Sequence, residues 1–378
     1  MLLKALPFFI SYITLPLVFA AAWFGGWWIA LPFVWGWVMI SMMDVISGLK
    51  TDNMDPATQD SMLFWHKMVT WTWIPLQIAL ILSVLWLATL PGHLGTGESI
   101  GVALALGVAT GGIGITFAHE LVHQRNKWER WGGELLLTSV AYGHFATEHV
   151  YGHHITVGTP KDPVSARKGE NFYTFFVRAV VGTFVSAWKI DAGRMAKRDL
   201  PVWHHTNPFW RYAIGAGLFM AYATILGGWW GLALFGLQCF MAVYQLEAVN
   251  YVEHYGLTRR FEESGKFERV KPQHSWNASH AVSNWFLINL QRHSDHHFRP
   301  DRRFPLLQHY PWKEAPQLPF GYATMIAMAL NPPIWFWVMN KRVDRWRESF
   351  YPDISDWTAY DDGTIGQGQT PMGAPAAA

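Results

Sequence analysis

The chain has 378 residues, of which 51% are hydrophobic and only 15% are charged. Soluble domains carry about 25% charged residues, so this composition indicates a protein that lies largely in lipid. The formal net charge of +2 is too small to indicate a nucleic-acid partner. A single cysteine, Cys239, excludes both an intramolecular disulfide and an iron–sulfur cluster held by cysteines of this chain alone.

Six apolar runs, each long enough or nearly long enough to cross a bilayer, predict an all-α membrane protein. They occupy residues 5–24, 27–43, 69–90, 99–118, 212–227 and 229–246. Lys and Arg are absent from the three short connections that join these runs in pairs. By the positive-inside rule, every segment that carries Lys or Arg therefore lies on the cytoplasmic side, as do both termini.

Two later segments receive different interpretations. The apolar run 320–340 contains Pro332 and Pro333, which interrupt a helix, and basic residues follow it. We therefore interpret it as a re-entrant or interfacial segment rather than a seventh span. We predict a single domain over residues 1–350 and a disordered tail over 361–378, where Gly, Pro, Ala and Gln dominate.

Histidines form three clusters at helical spacing. His119 and His123 follow the fourth run at i and i+4, which places both side chains on one helix face. His254 closes the sixth run at the same depth. Unpaired buried polar groups are costly in a membrane, so imidazoles gathered at one level predict metal ligands. The other two clusters are His149, His153 and His154, and His293, His296 and His297.

The number of histidines bears on the choice of metal. His119-Glu120-x-x-His123 matches the pattern of zinc proteases, in which the glutamate is the general base. One zinc site uses about three or four protein ligands, which leaves most of the histidines unexplained. The count therefore favours two metal ions, and the apolar surroundings favour O2 chemistry over hydrolysis, which needs water. An intramembrane zinc metalloprotease and a metal transporter remain alternatives, although transporters usually place their ligands near the membrane midplane.

An acidic residue stands beside a ligand in each histidine segment. Carboxylates commonly accept the outer N–H of a ligand histidine and so orient its ring, and we predict this role for Glu120, Glu148, Glu253 and Asp295. His144 and His274 are further candidates for this outer layer. The other histidines lie in loops or near charges and are predicted to be solvated: His66, His93, His204, His205, His280 and His309.

Four sequence motifs contain the clustered histidines. They are His119-Glu-Leu-Val-His123, Glu148-His-Val-Tyr-Gly-His-His154, Asn250-Tyr-Val-Glu-His-Tyr-Gly256 and Leu290-Gln-Arg-His-Ser-Asp-His-His297. These motifs resemble the signatures of a known family, the integral-membrane alkane hydroxylases (alkane 1-monooxygenases). That family belongs to a histidine-rich membrane di-iron class with fatty acyl desaturases and xylene monooxygenase. The stretches Thr159-Pro-Lys-Asp-Pro163 and Lys271-Pro-Gln-His-Ser-Trp-Asn277 are also similar, and the resemblance covers roughly residues 5–350.

The resemblance implies O2-dependent terminal hydroxylation of medium-chain n-alkanes to 1-alcohols in the cytoplasmic (inner) membrane of a bacterium. It implies two non-haem iron ions, with no bound flavin, haem or iron–sulfur cluster. A separate rubredoxin, reduced by an NAD(P)H-dependent flavin reductase, is the implied electron donor. Asp162 and His274 lie in the two additional stretches and join the predicted outer layer. The implied iron ligands are His119, His123, His149, His153, His154, His254, His293, His296 and His297.

Finer features of specificity follow from the same interpretation. The middle cluster reads His-x-x-x-His-His, which favours hydroxylation over desaturation, although a xylene-type hydroxylase and a fatty acyl desaturase stay open as alternatives. Glycines in the fourth run permit close helix approach, and Trp35, Trp37 and Gly111 are predicted to line a substrate channel. Gln124-Arg125 departs from the Lys-Lys or Lys-Glu of the best-known members. Four arginines are predicted to dock an acidic donor: Arg292, Arg299, Arg302 and Arg303.

Overall fold

A computed structural model describes residues 1–366, and all regular secondary structure in this range is helical. Short 3-10 turns at Pro272–His274 and Phe304–Leu306 supplement the helices. The helices are α1 (Leu2–Phe24), α2 (Gly26–Ser47), α3 (Asp60–Thr89), α4 (Thr96–Val122), α5 (Lys127–Thr138), α6 (145–156), α7 (Phe172–Ala196), α8 (Phe209–His254), α9 (Ala281–Phe286), α10 (His293–Phe298), α11 (Tyr322–Ala329), α12 (Pro332–Phe350) and α13 (Thr358–Asp361).

Five helices, α1 to α4 and α8, are long and apolar enough to cross a membrane. Helix α8 is interrupted at Gly227 and at Gly228, whose φ of 57° is a conformation that glycine adopts without strain. This interruption lies where the fifth and sixth predicted runs meet, so α8 consists of two apolar arms. The predicted class of all-α membrane protein is therefore confirmed.

One carboxylate joins the turns at the ends of two helical hairpins. Glu98, in the first turn of α4, accepts hydrogen bonds from the backbone N–H groups of Gly26 and Gly95, both at 2.8 Å. Gly95 precedes α4, whereas Gly26 begins α2, so the α1–α2 turn is held against the α3–α4 turn. Gly25 has a φ of 62°, which permits the tight reversal between α1 and α2.

Helix α4 packs closely against α8 through its glycines, as the sequence predicts. A Cβ atom on Gly111 would lie 2.6 Å from the Cα of Ala242, and one on Gly107 would lie 2.5 Å from the Cβ of Met241. Both distances are too short for any larger residue to fit without moving a helix. This contact brings the histidines that follow α4 close to the end of α8.

Helix α7 is an element that the hydropathy pattern does not indicate. Asn171 begins it by accepting a hydrogen bond from the backbone N–H of Thr174 at 3.0 Å. One face, with Phe175 and Ala179, is fully buried, whereas Val177 is 63% exposed. Charged residues such as Arg178 interrupt the apolar run, so the segment lacks the sequence signature of a span.

The segment 320–340 forms two helices, because α11 ends at Ala329 and α12 begins at Pro332. Helix α12 continues to Phe350 and fully buries Trp335 and Trp346. Residues 361–366, the start of the predicted tail, are placed in the structure, and Asp361 closes α13 and pairs with Arg347. The rest of that tail, 367–378, lies outside the described residues.

Candidate metal centre

Nine histidines converge into two adjoining groups, each with ligand atoms within 4.8 Å of one another. We call them the five-histidine group and the four-histidine group. The five-histidine group consists of His119, His123, His149, His154 and His296. The four-histidine group consists of His153, His254, His293 and His297.

The division between the groups does not follow the sequence clusters. Residues His149–His153 form a π-turn inside α6, and this wider turn sends His153 to the four-histidine group while His149 and His154 join the other. Helix α10 is divided in the same way, with His296 on one side and His293 and His297 on the other. Each of these helices therefore contributes to both groups.

The ring nitrogens are spaced as ligands of a shared ion. The Nε2 atom of His297 lies 2.9 Å from that of His293 and 3.2 Å from that of His153. In the five-histidine group, the Nε2 atom of His154 lies 3.0 Å from that of His296 and 3.1 Å from that of His149. Neutral imidazole has one N–H, so these crowded nitrogens cannot all be paired with one another. Two nitrogens bound at right angles, each about 2.0–2.1 Å from a metal ion, would be separated by about 2.9 Å.

Asp162 is the carboxylate that orients a group member from outside. It accepts a hydrogen bond from Nδ1 of His153 at 2.9 Å and another from Oγ of Ser165 at 2.6 Å. Burial opposes ionisation of Asp162, but His153 and Ser165 outweigh it and hold the pKa of this carboxyl below its ordinary value. Because Nδ1 of His153 carries the proton, its Nε2 is free to bind a metal ion.

Glu253 lies on the side of the four-histidine group where the Nε2 atoms meet. Its Oε2 lies 3.3 Å from Nε2 of His293, the nitrogen that faces the group, and its Oε1 accepts a hydrogen bond from Tyr322 at 2.8 Å. The predicted arrangement, in which Glu253 supports an outer N–H, is therefore not the one observed. The adjacent helix α11 supplies Tyr322, a residue that no motif in the sequence indicates.

Three other predicted outer carboxylates accept no hydrogen bond from a histidine of the groups. Glu120 accepts from Nε2 of Gln124 at 3.0 Å and from the backbone N–H of Phe304 at 3.2 Å. Asp295 is held by Tyr310 and Arg302. Glu148 accepts from Ser186 at 3.3 Å, and burial raises the pKa of its carboxyl. Each of these carboxylates is the neighbour of a histidine in sequence, so its side chain points to a different face of the helix from that histidine. A position beside a ligand in sequence therefore does not place the carboxylate beside the ligand's ring.

Comparison with known proteins places the chain in a family. A family model of fatty acid desaturases matches residues 96–329. Alkane 1-monooxygenase 2 of Pseudomonas aeruginosa is 39% identical over 323 residues, which cover 82% of this chain and 85% of that protein. Alkane 1-monooxygenase 2 of Alcanivorax borkumensis is 44% identical over 281 residues, which cover 71% and 72%. The xylene/toluene monooxygenase hydroxylase component of Pseudomonas putida is 26% identical, over 92% of this chain and 89% of that protein.

The chain belongs to the alkane 1-monooxygenase family, within the fatty acid desaturases. It is therefore a membrane oxidoreductase of the monooxygenase class, and the alternatives of a zinc protease and a transporter are wrong. The structure agrees, because the Glu120 carboxylate is occupied by Gln124 and Phe304, whereas a protease would use it as a free base.

An apolar cavity of this monooxygenase ends at both histidine groups. Its walls come from α2, α4, α6, α8, α9, α10 and α11, and Trp37 and Gly111 are among the lining residues, as predicted from the sequence. Trp35 is not among the residues of the wall; its ring packs against Phe286, which is, with ring centroids 6.5 Å apart. Phe145 lines the cavity and stacks on His149 at 4.8 Å. The group members that face the cavity are His119, His149 and His293.

A polar recess reaches the five-histidine group from another direction. His123 lies in its wall, beside Gln124, Arg125 and Arg299. His123 and His154 are the half-buried members of the nine, and the other seven are buried. The five-histidine group therefore has an edge open to solvent, whereas the four-histidine group is enclosed.

The four arginines predicted to dock a donor have different environments. Arg292 is only 4% exposed and donates to the backbone carbonyls of Leu307 at 2.6 Å and Asp52 at 2.9 Å, so its predicted docking role is wrong. Arg302 is bonded to Asp295, and Arg303 is bonded to Glu129 at 3.0 Å. Arg299 is the exposed member of this set.

Two histidines outside the groups also differ from prediction. His66 was predicted to be solvated, but it is fully buried between the rings of Phe8 and Phe304, at centroid distances of 5.9 and 6.0 Å. His274 orients no histidine of the groups, because its Nδ1 accepts from the backbone N–H of Lys271 at 3.0 Å and its Nε2 pairs with Tyr351 at 2.7 Å. In both cases a contact with a residue far away in sequence decides the environment.

Proposed function

We propose that this monooxygenase inserts one atom of O2 into the terminal C–H bond of medium-chain n-alkanes and releases 1-alcohols. The other oxygen atom leaves as water, which requires two electrons and two protons. The observation that carries the proposal is the apolar cavity that ends at His119, His149 and His293, because it would bring an unfunctionalised hydrocarbon chain to both histidine groups.

The nine histidines are proposed to hold two non-haem iron ions, one in each group. Their crowded Nε2 atoms, and the unpaired Nε2 atoms of His119 and His123, fit this cofactor. Iron supplies the O2 activation that side chains alone cannot provide. Asp162 holds His153 in the tautomer that keeps Nε2 available, and Phe145 restricts the orientation of His149 by stacking.

We assign the choice of the alkane's terminal carbon as the reacting atom to the shape of the cavity. Terminal C–H bonds are stronger than internal ones, so attack at the terminus needs orientation rather than intrinsic reactivity. Trp37, Gly111 and Phe286 line the cavity and would hold an alkane lengthwise, with one methyl group facing the histidines. The apolar walls also exclude water from the reacting carbon.

Electrons are proposed to come from a separate rubredoxin, itself reduced by an NAD(P)H-dependent flavin reductase. The chain has one cysteine and so cannot hold an iron–sulfur centre of its own. The half-buried edge at His123 and His154 offers a donor an approach to the five-histidine group, and Arg125 and Arg299 lie in the recess at His123. An acidic donor would be steered to such a surface.

The proposed setting is the inner membrane of a bacterium. Residues 1–350 would form one domain of six spans, with the two arms of α8 as the fifth and sixth, and with 320–340 re-entrant or interfacial. The distribution of Lys and Arg supports cytoplasmic termini and a cytoplasmic position for the histidine groups. This orientation would expose the recess at His123 to a soluble donor.

The proposal is tested by a product assay with isotopic oxygen. Membranes that contain the chain are supplied with rubredoxin, its reductase, NADH and octane or dodecane under 18-O2. We expect 18-O-labelled 1-alcohol by gas chromatography–mass spectrometry, and no product from His293→Ala. Iron at about two per chain together with no alcohol would overturn the alkane assignment.

A second candidate is hydroxylation of an aryl methyl group. It is favoured by the similarity, over most of both chains, to the xylene/toluene monooxygenase hydroxylase component. Supplying p-xylene in place of alkane in the same assay separates the two. Faster turnover of p-xylene than of octane would make the aromatic substrate the better assignment.

A further inference from the structure

A π-turn at Ala109–Ile115 lies in the middle of α4, just before the first histidine pair. Such turns shift backbone hydrogen bonds from i+4 to i+5 and often occur at functional sites. Gly111, Gly112 and Ile115 of this turn line the cavity. The shape of the cavity wall therefore depends on the π-turn keeping its conformation.

Three glutamine side chains bond to or pack against this turn and the residues just before it. Gln238 donates from Nε2 to Oγ1 of Thr110 at 2.7 Å, and Gln245 donates from Nε2 to the carbonyl of Gly107 at 2.9 Å. On the opposite side, Gln77 packs so closely on Gly114 that a Cβ atom there would overlap its amide. Among the three, Gln245 lines the cavity.

The orientation of the Gln245 amide is determined by its neighbours. Its nitrogen faces two backbone carbonyls, of Gly107 at 2.9 Å and of Met241 at 3.2 Å, so only an NH2 group fits there. The Oε1 atom then points to Gly112, where an added Cβ would lie 3.4 Å away. Gln245 thus contacts the π-turn and faces the cavity with the same amide.

We propose that Gln245 is a positioning residue that sets which carbon of the hydrocarbon chain is hydroxylated. Its amide bonds to Gly107 just before the π-turn and packs on Gly111 and Gly112 within it, and the π-turn forms the wall along which the chain lies. The inference rests on the proposed function. Gln245 precedes Glu253 by eight residues in α8, about 12 Å along the helix axis, so it acts on the body of the substrate rather than on the reacting methyl group.

The test compares Gln245→Leu with Gln238→Leu. Both changes remove an amide bond from α8 to α4, to Gly107 just before the turn or to Thr110 within it, but only the first alters the cavity wall. The readouts are the ratio of 1-alcohol to 2-alcohol from octane, the NADH consumed per alcohol, and the iron content and thermal stability in detergent. We expect Gln245→Leu to lower the 1-alcohol to 2-alcohol ratio by about 3-fold or more, since small changes in pocket shape shift selectivity by such factors. Iron content should stay at the wild-type value in both variants, and Gln238→Leu should shift the ratio less than Gln245→Leu, because it changes no side chain of the cavity wall.

A third variant tests the inference without removing an amide bond, so a failure to fold cannot explain its result. Gly112→Ala adds one methyl group whose nearest neighbour would be Oε1 of Gln245 at 3.4 Å, so it should fold normally. It should shift the same ratio with no change in stability. An unchanged ratio in both Gln245→Leu and Gly112→Ala, or an equal shift in Gln238→Leu, would overturn the inference. If the wild-type protein makes no alcohol, the proposed function has failed instead.

Discussion

His153 donates a hydrogen bond from Nδ1 to the Asp162 carboxylate at 2.9 Å, and the pair is almost completely buried. Asp162 follows His153 by nine residues and comes back to it after α6 ends. Within residues 1–366, Asp162 is the one predicted outer carboxylate that accepts a hydrogen bond from the outer nitrogen of a histidine in either group. This contact fixes the loop that follows α6 against the enclosed four-histidine group.

Replacing Asp162 by Asn should impair metal binding. The amide keeps the shape but loses the charge that favours the Nδ1–H tautomer of His153, and outer-layer changes of this kind typically cost about 10–100-fold in metal affinity or activity. We expect lower iron content per chain and slower alcohol formation. The matched control is Asp191→Asn, since Asp191 is equally buried but bonds to Thr147 and Arg194. Equal iron loss in both variants would show that the effect is structural.

Glu120→Gln distinguishes the observed role of this residue from that of a protease base. Its carboxylate accepts hydrogen bonds from Gln124 and Phe304 and from no histidine of the groups. We expect the free energy of unfolding to fall by about 1–3 kcal/mol, because one of the two buried acceptor oxygens is replaced by an NH2 group that faces these donors. Alcohol formation per bound iron should stay within about 3-fold of wild type, since no group at the reacting carbon is removed. A loss of all activity at full iron content would contradict this assignment.

Trp37→Ser should lengthen the range of accepted alkanes. Trp37 lines the cavity, so removing its indole makes room for additional methylene groups, each worth about 10–200-fold in discrimination where the fit is tight. The measurement is the relative rate on alkanes from hexane to hexadecane. Trp35→Ser is the control, because Trp35 lies outside the wall and reaches it only through Phe286. The same change of range in both variants would contradict a direct role for Trp37.

Arg299→Glu should weaken the productive encounter with the electron donor. Arg299 is exposed at the recess beside His123, so reversing its charge removes steering of an acidic partner. We expect the KM for rubredoxin to rise by about 10-fold at low salt, with the rate at saturating donor unchanged. Arg345→Glu, an exposed arginine of α12 outside the recess, serves as the control. A KM for the donor that does not depend on ionic strength in the wild type would count against this docking surface.

The differences between the sequence-based predictions and the structure share one physical cause. Arg292 and His66 were predicted to face solvent from local charge and loop composition, but backbone carbonyls and aromatic rings far away in sequence enclose them. Helix α7 was not predicted because Arg178 interrupts its apolar run, although Arg178 is bonded to Glu170 at 2.7 Å. Arg292 and His66 find partners far away in sequence, and Arg178 finds one eight residues earlier, so groups that hydropathy counts as exposed are satisfied inside the fold.

The amino-acid sequence alone determined the class of protein, the apolar runs, the interruption at Gly228 and the set of nine histidines. These features are local, because hydropathy, glycine punctuation and helical spacing act within a few turns of the chain. Tertiary structure alone decided the division of the histidines into five and four, the choice of Asp162 as the outer carboxylate, and the place of Trp37 rather than Trp35 in the cavity. Those outcomes depend on the π-turns and on the close packing of α4 against α8, which set where each helix face points when distant segments meet.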